Sequence, residues 1–157
     1  GGMASRLFQE IREKRGLCYT IFAQAGAYTD TGMTTVYAGT SGDQIAELAT
    51  ITIDEMKRAA GDFTEEETAR AKAQMKAGLL MGLEGPSSRA ERMARMVQIW
   101  GHVPPLDTVV DKIDAVTRDD LRHYAEGMAV RAPMALAYYG PVKGAPDHGA
   151  LSLRRAA

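Results

Sequence analysis

At Gly16 the hydrophobic period of this chain changes from that of a helix to that of a strand, and nothing else constrains the fold as much. Upstream, Leu7, Phe8 and Ile11 recur at helical spacing while Arg6, Gln9, Glu10, Glu13, Lys14 and Arg15 take the other faces. Lys14 and Arg15 put positive charge where a helix C-terminus favours it, and Gly16 supplies the stop. From Leu17 the period is two. Tyr19, Ile21, Ala23 and Ala25 alternate with Thr20, Phe22 and Gln24, and both sides are apolar enough to predict a strand covered on more than one face. Thr29, Asp30, Thr31 and Gly32 have turn chemistry, and Met33 to Ala38 returns as a second strand, so an antiparallel hairpin is expected.

Helical patterns dominate the chain beyond Thr40. Ser41 and Gln44 have capping-box spacing ahead of a helix striped by Ile45, Leu48, Thr52 and Met56. Its β-branched run Thr50 to Ile53 must be held helical by packing. Thr64 and Glu67 open a long alanine-rich helix reaching about Leu83; Ser88 and Glu91 propose a third box before Met93, Met96, Val97 and Trp100. A short helix through Val109 and Ile113 comes next, Thr117 and Asp120 cap one that Gly127 closes, and Met134 to Tyr139 reads as a late strand. Beyond Lys143 the Gly, Pro and Ala content predicts a frayed tail. The expected fold is therefore α+β, two-layer, with a small mainly antiparallel sheet packed by several helices. The domain should span residues 1–141 and the flexible tail residues 142–157.

At 157 residues the chain suits one hydrophobic core. Nineteen basic against twenty acidic side chains leave a net charge of -1, which predicts no electrostatic funnel for nucleic acid or anionic lipid. The single cysteine, Cys18, excludes an internal disulfide and fits a reducing, cytoplasmic setting. No apolar run reaches the roughly 18 residues of a membrane span, and no signal peptide is expected. Gly1 and Gly2 lead almost directly into a helix, and a hairpin with one late strand is a small sheet for so many helices. The chain is thus expected to be a piece of a larger protein; a complete small domain behind a tag remnant is the alternative.

Few residues here have the chemistry of a self-sufficient site. His102, His123 and His148 form no two-histidine helix motif, and Cys18 is far from each in sequence, so no metal is expected in this chain. Cys18 reads as a small buried hydrophobe rather than a nucleophile. Glu65, Glu66 and Glu67 are explained as helix-start residues, and Gly1 and Gly2 lack the lysine and hydroxyl of a phosphate cradle. Arg12, a turn before the helix end, and Tyr19, across the Gly16 bend, remain. A guanidinium offers a planar fork of donors to a carboxylate or peptide carbonyl, and a phenol one more donor for charge developing on oxygen. A functional pair and an ordinary packing pair both fit these residues.

The run Ser5 to Tyr19, SRLFQEIREKRGLCY, resembles the C-terminal domain of the zinc metallopeptidases of the pitrilysin, insulysin and mitochondrial processing peptidase family. The Gly1-Gly2-Met3 lead, the Asp30 to Gly32 turn, Tyr37 to Thr40, Phe63 to Glu67, Lys72, Ser88-Arg89 and the Asp114 to Leu121 run are similar to it as well. The resemblance covers about residues 1–141 and is greatest to the bacterial processing-peptidase-like branch. It implies a two-domain peptidase unit. The N-terminal domain holds zinc on an inverted His-x-x-Glu-His motif, and the C-terminal domain contributes an arginine and a tyrosine that hold the peptide near the scissile bond. By motif position these are Arg12 and Tyr19. The zinc motif is absent from this chain, and the first strands and helix of the C-terminal domain are not found before Gly1. The implied function is therefore substrate holding for an endopeptidase that cleaves peptides or presequences, inactive in this chain alone. The implied partners are the N-terminal zinc domain of the same protein and a peptide substrate. A non-catalytic homologue, or a peptide-binding module that self-associates into a homo-oligomer through an exposed sheet edge, is the alternative.

Overall fold

The computed structural model describes residues 2–156, in two compact units: residues 2–62 with 122–156, and residues 63–121. The first unit opens with a helix wound one residue wide between Phe8 and Glu13, where the Lys14 N–H donates to the Gln9 carbonyl at 3.0 Å, five residues back. Gly16 ends it at φ +65°, a conformation that costs glycine no Cβ clash. Its N–H reaches the Arg12 carbonyl and that of Leu17 reaches the Ile11 carbonyl, both at 3.0 Å.

Strands β1 (Thr20–Ala27) and β2 (Gly32–Gly39) pair antiparallel, from Thr20 opposite Gly39 to Ala27 opposite Gly32. The Tyr28 N–H closes the loop on the Thr31 carbonyl at 2.8 Å. The expected hairpin is present, but not the expected covering. Ile21 is buried, whereas the rest of β1 is exposed. One face meets other elements: at its base Ile21, with Val36 and Ala38 opposite, packs against Ile11, Leu17, Cys18 and Leu48, and nearer the tip the Thr34 hydroxyl lies 2.9 Å from that of Tyr124, while Phe22 and Tyr37 stack on the other face at 5.3 Å in open solvent. Helix α1 (Ile45–Asp62) contributes Leu48 to this core and Ala49 and Ile53 to a second one. Its β-branched turn is held by that packing and by Thr50 and Thr52, whose hydroxyls donate to the carbonyls of Ala46 and Leu48 at 2.8 Å. Ser41 and Gln44 bond through their side chains at 3.0 Å without closing a capping box, and α1 starts one residue later.

Met134 to Tyr139 is not a strand. It runs without a ladder: the Met134 carbonyl lies 2.9 Å from His148 Nε2, and just before the segment the Ala132 carbonyl accepts from Arg155 at 2.6 Å. Met134 packs against Ala49, Ile53 and Leu151, while Tyr139 is fully exposed. Leu151 belongs to helix α6 (His148–Ala156), formed where composition predicts a frayed tail. Gly127 does not close its helix either; the backbone winds on in a wide turn over Gly127–Arg131 before Ala132 leaves it.

In the second unit, α2 (Glu65–Met81) begins at a complete capping box. Thr64 Oγ1 accepts from the Glu67 N–H at 3.1 Å, and Glu67 Oε2 accepts from the Thr64 N–H at 2.9 Å. Ser88 and Glu91 form no such box: α3 (Pro86–Trp100) starts earlier, with Gly85 as cap and proline in its first turn. Helix α4 (Leu106–Ala115) is tied to α2 by Lys72 on the Asp114 carbonyl at 2.8 Å and Lys76 on its carboxylate at 2.7 Å. The Thr117–Asp120 pair caps α5 (Arg118–Glu126) reciprocally, at 2.8 and 3.1 Å.

Candidate functional site at the helix–hairpin junction

The sequence of the junction dictates its geometry. The helix must end where the strand begins, so Arg12 lies in the last turn before the Gly16 cap and Tyr19 stands one residue before β1. Arg12 is half-exposed; its guanidinium carbon lies 4.6 Å from the centroid of the Phe8 ring one turn back, and its Nη1 donates to Glu13 at 2.9 Å. The Tyr19 N–H is fixed by the Gly39 carbonyl at 3.2 Å, which anchors its backbone while the side chain is 92% exposed. Among the described residues, no hydrogen bond or ring contact joins the Arg12 and Tyr19 side chains. Each therefore presents a donor to whatever lies over the junction.

Beside Tyr19 is an open cleft of about 350 Å³, lined by Gly16, Leu17, Cys18, Tyr19, Thr40, Ser41 and Gln44. Its base is closed by Thr40, whose hydroxyl donates to the Leu17 carbonyl at 2.5 Å. Burial pushes the Cys18 thiol up, against the opposing pull of the nearby Arg12 charge, so it stays a neutral, buried group. This agrees with the small-hydrophobe expectation and leaves no activated nucleophile.

Around the other side of the helix runs a charge cluster that residue spacing alone presents as a solvated face. Glu10 accepts from Lys14 at 2.6 Å and Arg15 at 2.9 Å, and Arg58 of α1 approaches to 3.7 Å. These bonds, Lys14 first and Arg15 next, hold the Glu10 carboxyl down at about 2. Arg58 also pairs with the buried Glu55 at 2.7 Å, at angles outside those of a hydrogen bond; burial pushes the Glu55 carboxyl up. The i, i+4 spacing of Glu10 and Lys14 is legible in the sequence, but the approach of Arg58 across 48 positions is not.

Three or more His, Cys, Asp or Glu do not converge anywhere among the described residues. His102 Nδ1 lies 3.0 Å from the Trp100 carbonyl, His148 is turned to Met134, and His123 is exposed on α5, so this donor set does not fit zinc. No described helix is long and apolar enough to cross a membrane.

Residues 1–75 match the model described as the Peptidase M16 inactive domain. Along 91% of its length the chain is 36% identical to an uncharacterized zinc protease of Streptomyces coelicolor, of which it covers 31%. It is 33% identical along 94% of its length to an uncharacterized zinc protease of Bacillus subtilis, covering 36% of that protein. The chain thus spans about a third of the curated relatives it matches. Its fold is similar to that of a chain of complex III2 from Candida albicans (TM-score 0.71, 23% identity, 80% of this chain and 30% of that one). A conserved protein of Enterococcus faecalis is similar in fold too (TM-score 0.69, 24% identity, 80% and 29%).

Proposed function

We propose that this chain is the substrate-holding part of a zinc-dependent endopeptidase, acting on peptides or presequences in concert with an N-terminal zinc-binding domain of the same protein. The observation that carries this is the exposure of Tyr19 and the half-exposure of Arg12 on either side of the Gly16 cap, in a stretch matching the M16 inactive domain. Zinc, bound in that other domain, would supply an activated water. Arg12 would hold backbone carbonyls or a carboxylate of the extended peptide by charge-assisted hydrogen bonds. Its cation–π contact with Phe8 limits the rotamers the guanidinium loses on binding. Tyr19 would donate its phenolic proton to the carbonyl oxygen as negative charge develops there. Because its backbone is pinned to Gly39 and its ring is unencumbered, only side-chain torsions need adjust.

In the full-length protein, Tyr19→Phe is expected to lower kcat by about 10²-fold with unchanged zinc content, the usual scale for losing one donor to developing charge. Arg12→Gln should act chiefly on KM. Turnover and KM that both stay at wild-type values in these variants would remove the pair from the site.

A second use of the same fold is self-association. Both outer edges of the hairpin lack a ladder partner among the described residues, so a copy of this chain could add a strand there. A monomer mass at all concentrations in sedimentation equilibrium would eliminate it.

A further inference from the structure

We propose that Gln44 is a specificity-determining residue of the peptide site around Tyr19, selecting a substrate side chain of the uncharged carboxamide class, Asn or Gln, in the adjoining cleft. The proposal rests on the substrate-holding function argued above and deepens it. Three observations lead to it. The cleft, at about 350 Å³, is at the small end of ligand pockets and suits one side chain rather than a long segment. Its serine and threonine hydroxyls are already committed: Thr40 donates to the Leu17 carbonyl, and Ser41 donates to Gln44 Oε1 at 3.0 Å. That second bond fixes the Gln44 carboxamide and leaves its Nε2 donors without a partner among the described residues, so the cleft offers donors from Gln44 and Tyr19 to an entering acceptor.

Charge decides the class of that acceptor. None of the lining residues carries one, and the floor is Leu17 and neutral Cys18, each less than a tenth exposed. A substrate carboxylate would lose water there with no charged lining residue to meet it, and Arg12, whose charge reaches Cys18, is already paired with Glu13 at 2.9 Å. An ammonium group would meet donors. A carboxamide oxygen satisfies Gln44, and its own NH2 can remain at the open mouth. An apolar side chain of the same shape would strand the Gln44 donors.

The test is isothermal titration of the full-length protein with two non-hydrolysable peptides that differ only by Asn or its isostere Leu at one position, scanned along the peptide. At one position wild type is expected to bind the Asn peptide about tenfold more tightly, and Gln44→Leu should bring the two within about twofold of each other. Equal binding at every position in wild type, or a preference that survives Gln44→Leu, would overturn the proposal. Arg12→Gln, run beside them, should weaken both peptides by a common factor. If it weakens neither while the Asn preference persists, the role given to Arg12 fails and that of Gln44 stands.

Discussion

Glu10 shows how one carboxylate can tie a helix to its surroundings. Its hydrogen bonds to Lys14 and Arg15 lower its pKa from 4.5 to about 2. A lowered folded-state value means that the folded chain binds fewer protons, so this stabilisation is complete above pH 4.5 and is lost as pH falls towards 2. Glu55 has the opposite sign. Its raised value costs stability as pH rises through the ordinary carboxylate range. Glu10→Gln is therefore expected to cost about 1 kcal/mol at pH 7, after allowing for solvent screening, with the difference from wild type vanishing by about pH 2 to 3. Urea midpoints of the full-length protein at several pH values check this. Tyr19 teaches a different lesson at this scale. Its parity with Ile21 suggests a shared side, yet β1 starts at Thr20, so Tyr19 lies before the alternation begins and turns outward.

Elements are legible where the determinants are local. Thr64 and Glu67 form the expected box, and Thr117 with Asp120 another, because four adjacent residues contain every partner. Ser88 fails because Pro86 captures the first turn of α3 two residues earlier, leaving Ser88 inside the helix. The contrast is measurable by urea unfolding of the full-length protein: Thr64→Ala should cost about 1 kcal/mol and Ser88→Ala less than about 0.5 kcal/mol. The first helix is readable as a helix with a glycine stop. Its widened winding is not, since the spacing of Leu7, Phe8 and Ile11 fits either pitch.

At the scale of the whole molecule, α+β class and hairpin follow from period and turn chemistry, while the distant partnerships do not. Composition marks the last residues as a tail; what orders them is α1, to which α6 is joined by Arg154 on Asp54 at 2.7 Å, by Lys57 on the Arg154 carbonyl at 3.0 Å, and by Leu151 among Ala49 and Ile53. Such pairings, nearly a hundred residues apart, leave no local signature. Leu151→Ala is accordingly expected to cost about 2–3 kcal/mol in urea unfolding of the full-length protein, where a true tail position would cost almost nothing. The late strand fails for the same reason: Met134 to Tyr139 has strand composition, but a strand is a relation between segments, and among the described residues none pairs with it.

Cys18 is the chain's single thiol, and it lies at the joint between helix and hairpin, 8% exposed and kept protonated by burial. Since only an exposed thiolate reacts appreciably, a disulfide reagent must wait for the joint to open. The molecule thus has its own stopwatch: the modification rate at this one sulfur counts how often the platform beneath Arg12 and Tyr19 comes apart.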